Sequence, residues 1–211
     1  MIDLLPQFAF NGLLIGASYA LIAVGLTMIF GIMNIANFAH GEFYMLGGCV
    51  TFFLAATLGL GYFAALPLSV VVVAVFGLLL ERGIFRPLRH KPPMSSVLAT
   101  VGLAMMIENG ALALWGPQPQ PIPTGLSQMP LEIGPIFTTQ PRLLAVATTV
   151  VALLLVHLFL NRTVLGTAMR ATFQQPEAAT LVGIPIERVH AVTFGLGAGL
   201  AALGGALRGA I

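Results

Sequence analysis

Residues 4–39 read LLPQFAFNGLLIGASYALIAVGLTMIFGIMNIANFA, and between Asp3 and His40 no side chain is charged and only Tyr19 is titratable. As one helix these 36 residues would run about 54 Å, far more than the roughly 30 Å of a bilayer's hydrocarbon core. A single crossing cannot use them all, so a first helix over residues 8–30 must stop and another element begin. Gly31, Asn34 and Asn37 are the natural break. Gly12 and Gly16, with Ala20 continuing the small face, predict close helix packing on this segment.

The second uncharged run, residues 43–80, makes the same demand over 38 residues. Gly59-Leu60-Gly61 is the expected turn, leaving about 16 and 18 residues on either side, both short of the roughly 20 that a crossing needs. Extending the earlier span backwards to 40–58 draws Glu42, His40 and Asn37 towards the membrane, where ionisable groups face a cavity or a partner. The later span covers 63–80.

Composition agrees. The chain is 58% hydrophobic and 8% charged with a mean hydropathy of +0.98, against roughly 25% charged residues in soluble domains. A net charge of +2 gives no nucleic-acid footprint, and the single cysteine, Cys49, excludes an intramolecular disulfide. No basic residue precedes the first apolar run, so no cleavable signal peptide is expected.

Further along, residues 81–91 (ERGIFRPLRHK) set four basic residues against one acidic, and Pro92-Pro93 closes that loop. Spans follow over 95–115, with Trp115 as an interfacial anchor, and over 142–161 and 191–210. Residues 116–141 hold seven of the fourteen prolines and no lysine or arginine. The positive-inside rule places 81–91 and 162–190 in the cytoplasm and the proline-rich loop outside, which puts the amino terminus outside by parity. The predicted fold is thus an all-α polytopic membrane protein of about six transmembrane helices, one domain over 1–211.

Within the second basic loop, residues 170–188 read RATFQQPEAATLVGIPIER. Pro176 suits a first helical position, Glu177 complements the dipole of the first turn, Gly183 can end the helix in the left-handed conformation, and Pro185 discourages a restart. The expected product is a two-turn helix on a loop, too short to be stable alone and therefore held by a partner.

The Glu177-Ala178-Ala179 triplet with Gly183 after three further residues resembles the coupling helix of bacterial ABC-importer permeases. With residues 34–48 (NIANFAHGEFYMLGG), the whole chain is similar to the permease family for branched-chain amino acids, the high-affinity leucine/isoleucine/valine type. That resemblance makes 162–190 a coupling loop in which Pro176, Glu177, Ala178, Ala179 and Gly183 meet an ATPase. It implies two cytoplasmic ATP-binding subunits, a second permease, a periplasmic solute-binding protein, no cofactor and a bacterial inner-membrane location. Relatives of the family continue for further helices, so the chain is expected to be truncated at its carboxyl end. Neither a GxxxxGK[ST] loop nor a basic phosphate cradle occurs, so ATP is expected to act on a separate subunit.

Asn34, Asn37, His40 and Glu42 are the candidate substrate pathway, since broken helices expose polar groups and helix ends where they line a cavity. The competing reading makes them caps for two helices at the cytoplasmic interface. A metal site lacks a third ligand, and His40 and Glu42 do not share a helical face. Glu108 is expected at the outer interface or against Asn109, and His157 at the cytoplasmic headgroups. The glycines of 193–209 read as a helix-packing face. A stand-alone secondary transporter or channel for a small polar solute is the alternative function; it calls for intramembrane acids in pairs, and Glu42 and Glu108 are solitary in sequence. An intramembrane hydrolase would need a nucleophile beside a base, which no motif supplies.

Overall fold

A computed structural model describes residues 4–89, 91–118, 121–127 and 129–210. Its helices are α1 (Leu5–Met33), α2 (His40–Phe52), α3 (Tyr62–Leu80), α4 (Arg86–Leu88), α5 (Pro93–Trp115), α6 (Gln140–Arg162), α7 (Val164–Gln174), α8 (Pro176–Leu181) and α9 (Ile186–Arg208). Among the described residues, five stretches are long and apolar enough to cross a membrane: α1, the run Tyr62–Leu88, Met94–Trp115, α6 and α9. The protein is an all-α polytopic membrane protein.

The break after α1 falls at Asn34, which takes the left-handed conformation (φ 54°) and donates its backbone N–H to the Phe30 carbonyl at 2.8 Å. Asparagine tolerates that region better than most L-residues. α2 continues through a π-helical turn, Phe53–Thr57, before Gly59 and Gly61, both at positive φ, reverse the chain.

α9 is the axis of the fold. It packs against α1, α2 and α3, and from Val189 to Leu207 all but two of its residues, Val192 and Leu196, are buried. Its small residues make this possible. A Cβ on Gly25 of α1 would stand 2.7 Å from the Gly197 carbonyl oxygen, and one on Gly77 of α3 would stand 2.8 Å from the Ala198 methyl. On the α2 side Gly47 abuts the backbone of Ala202, and Gly205 abuts that of Tyr44. Dispersion contacts from backbones this close replace a hydrophobic drive that lipid does not supply between helices. Phe194 anchors the amino-terminal half of the axis, edge-on to Phe43 (centroids 5.8 Å apart) and against Phe85 (4.7 Å). A buried polar link, Thr51 Oγ1 to Ser69 Oγ at 2.7 Å, ties α2 to α3.

Several expectations need correction. Residues 81–88 do not form a loop: a π turn, Glu81–Phe85, and α4 prolong α3. The reason is neutralisation, because Glu81, 1% exposed, pairs with Arg89. The coupling loop is mostly helical, since α7 occupies Val164–Gln174. A short antiparallel hairpin, Leu131–Ile133 with Ile136–Thr138, sits in the proline-rich segment. Gly12 and Gly16 meet nothing within the chain, so the packing expected of them is absent here.

The two ends of the bundle differ. At one, the Gln7 side chain bonds both backbone groups of Phe137, and Ile122 N–H donates to the Gly209 carbonyl at 3.4 Å. At the other, Arg86 pairs with Glu187 in the first turn of α9. These ends hold the proline-rich segment and the basic segments respectively.

Candidate functional site

The coupling segment starts from a cap. Thr163 is extended, and its hydroxyl accepts the Gly166 N–H at 2.9 Å, launching α7. Gly166, Met169 and Thr172 recur on one face and are buried, with Gly166 pressed on the Phe159–Leu160 backbone. Gln175 then turns extended, and Pro176 opens α8 at a position whose N–H needs no helical partner.

Gly183 ends α8 with φ 82°. Its N–H donates to the Thr180 carbonyl and that of Ile184 to the Ala179 carbonyl, both at 3.0 Å, the paired bonds of a Schellman closure. Ala179 is buried and Ile184 half-buried, while Pro176, Glu177 and Ala178 are exposed. Leu181 and Val182 are 89% and 77% exposed, an apolar tip with nothing of this chain over it. Pro185 follows at once, its carbonyl accepting from Arg188 and Val189 as α9 begins. Residues 182–185 are therefore the covalent link between the exposed α8 and the buried axis.

The four pathway candidates separate by environment. Asn34 caps α1 as described. Asn37, 5% exposed, accepts the Ala39 N–H on its side-chain oxygen at 3.1 Å, while its own carbonyl accepts from His40. His40, 2% exposed, lies with Nε2 3.1 Å from the Ile22 carbonyl oxygen, wedged beside Gly25 of α1. Glu42 is half-buried in the first turn of α2, and Glu108 is exposed on α5. Asn109 bonds the Met105 carbonyl of its own helix (2.7 Å) rather than Glu108. His157 is exposed and shares contacts with Asn161, which in turn accepts from Arg170 at 3.0 Å.

The sequence agrees with this geometry. A family profile described as branched-chain amino acid transport system, permease component, matches residues 8–211. The chain belongs to that permease family. It is 35% identical over 215 residues to the high-affinity branched-chain amino acid transport system permease protein BraD of Pseudomonas aeruginosa, covering 94% of this chain and 69% of the relative. The similarly named LivH of Escherichia coli strain K12 is 32% identical over 96% of this chain and 70% of its own length. A probable LivH of Methanocaldococcus jannaschii is 29% identical over 89% of this chain and 61% of the relative. No solved structure matches the chain.

In this permease chain, sequence reasoning missed α7. The three-residue recurrence of Gly166, Met169 and Thr172 was a weak signal, since one glycine and one threonine do not read as an apolar stripe.

Proposed function

We propose that this chain is the transmembrane permease subunit of an ATP-driven ABC importer, moving branched-chain amino acids or related small solutes across the bacterial inner membrane. It acts as a transport subunit, with no nucleotide-binding or catalytic site of its own. Two cytoplasmic ATP-binding subunits, a second permease subunit and a periplasmic solute-binding protein complete the system. The names of the relatives supply the solute class.

The observation that carries the reading is the α8–Gly183–α9 junction. A six-residue helix has no stability of its own, yet this one is closed at both ends and presents Leu181 and Val182 outward. Such a tip suits a groove on another protein. A displacement of α8 reaches α9 through residues 182–185, and α9 touches α1, α2 and α3. ATP hydrolysis on a partner thereby moves the helices around the pathway. Pro176, Glu177, Ala178, Ala179 and Gly183 form the coupling element. Along the pathway, half-buried Glu42 offers negative charge to a passing ammonium group, while Asn34, Asn37 and His40 hold the break between α1 and α2.

Acids within the apolar helices, here Glu42 and Glu108, are also what a stand-alone secondary transporter would use. Co-purification and energetics separate the two. Expressed in its native operon context, the chain should bring down a nucleotide-binding subunit, and leucine uptake into vesicles should require ATP and survive an ionophore. Uptake without ATP that collapses with the ion gradient would replace the importer reading with the alternative.

A further inference from the structure

A cavity of about 420 Å³ opens between α2, α5 and the end of α9. Such a volume is typical of small-ligand sites. Met45, Cys49 and Phe52 of α2 and Leu112 and Trp115 of α5 form apolar walls, with Arg208 from the end of α9. On α2 the spacing 42, 45, 49, 52 and on α5 the spacing 108, 111, 112, 115 keep the glutamates and the walls on one helical face. Arg208 lies within electrostatic reach of Tyr44, but among the described residues no carboxylate pairs with it, and it makes no hydrogen bond there. The basic loops assign this end of the bundle to the extracytoplasmic side, where a cation is not required for orientation.

We propose that this cavity is an outer binding station for an α-amino acid with an apolar side chain, its carboxylate held by Arg208 and its side chain by the Met45–Phe52 and Leu112–Trp115 walls. An exposed guanidinium without a carboxylate partner among the described residues, set against apolar walls, selects a group that is negative at one end and greasy at the other. A carboxylate takes the planar guanidinium fork in a bidentate way that no neutral amide reproduces. The ammonium end is then free to move inward towards Glu42 and Glu108. Because Arg208 ends the helix that α8 drives, a shift of α9 moves the carboxylate anchor directly. The station rests on the importer reading for its solute, and adds a place within the permease where that solute pauses.

Cys49, the only cysteine in the chain and half-buried on the cavity wall, reports occupancy. In the assembled transporter, first shown to take up leucine with ATP, the rate of Cys49 modification by a small maleimide is followed by mass spectrometry of this chain. Leucine should slow modification, whereas leucinamide, which has the same side chain and ammonium but no carboxylate, should not. Arg208→Ala should raise the leucine concentration for half-maximal protection about tenfold or more, the scale of one lost charge-assisted hydrogen bond. Arg208→Lys should retain part of the protection. An unchanged melting temperature and unchanged co-purification with the ATP-binding subunits in both variants show that the fold persists. Equal protection by leucine and leucinamide, protection unaffected by Arg208→Ala, or no protection in a transporter that does import leucine would overturn the station. Failure of ATP-dependent uptake in the first step would instead count against the importer reading itself.

Discussion

α9 and α8 are joined by four residues and are held in opposite ways. α9 is fixed by contact: glycine and alanine let it lie against three helices at backbone distance, and nearly every side chain from Val189 to Leu207 is buried. α8 is fixed by local bonds: a proline start, a Schellman closure at Gly183 and one buried methyl, Ala179. A close-packed helix moves only as a body, because overlap is costly in every direction. A locally capped helix keeps its shape without committing its outer surface. The contrast suits an element that receives force and another that distributes it.

Adding bulk to the axis should have the largest effect. Gly205 lies against the Tyr44 backbone, so Gly205→Leu cannot be absorbed by a side-chain rotation. The cost should meet or exceed the 1–3 kcal/mol usual for overpacking. The expected outcome is little or no monodisperse protein after extraction from the membrane, read by size-exclusion chromatography. Near-normal yield and melting temperature would show that α9 is packed more loosely than described.

The next effect should come from the inner end of α3. Glu81→Ala strands Arg89, whose side chain is 16% exposed and whose Nε already lacks a partner. Removing one member of a buried pair costs about 3–5 kcal/mol, whereas replacing both with apolar residues is often neutral. Glu81→Ala should therefore lower the melting temperature sharply, and Glu81→Leu with Arg89→Leu should recover most of it. Equal loss in both variants would mean that the helical extension through α4 does not depend on charge neutralisation.

A change on the exposed segment should be the smallest. Glu177 stands in the first turn of α8 in full solvent. Glu177→Ala removes a charge–dipole contribution of about 0.3–1 kcal/mol. Membrane insertion and melting should be unchanged, with ATPase stimulation reduced but present. A melting shift as large as that of Glu81→Ala would erase the distinction between the two regions.

The architecture was legible because charge is absent where helices run. Residues 4–39 announce a helix longer than one crossing and a break near Asn34, and α1 closes at that asparagine. Gly59 and Gly61 announce the reversal, and both take positive φ. The helix ends of α3 were less legible. A cluster of basic residues reads as a loop, yet Glu81 supplies the countercharge that lets the helix continue, and only the three-dimensional turn of the helix sets it against Arg89. Gly183 could be singled out from sequence because proline, acid and glycine occur in the order that helix starts and stops require. The partner of His40 could not, since Ile22 reaches it through the packing of separate helices.

The measurement that bears most directly on the account is ATP hydrolysis by the assembled transporter, with and without solute-loaded binding protein, in Gly183→Val. Nothing of this chain lies within 4 Å of a Cβ at Gly183, so the substitution introduces no clash beyond the backbone strain of φ 82°. A β-branched residue resists that conformation, at about 1–2 kcal/mol or more, while asparagine tolerates it. The account predicts that Gly183→Val assembles with its ATP-binding subunits but loses stimulation by the loaded binding protein, and that Gly183→Asn keeps most of it. Full stimulation in Gly183→Val would contradict the claim that force passes from α8 to α9 through this turn.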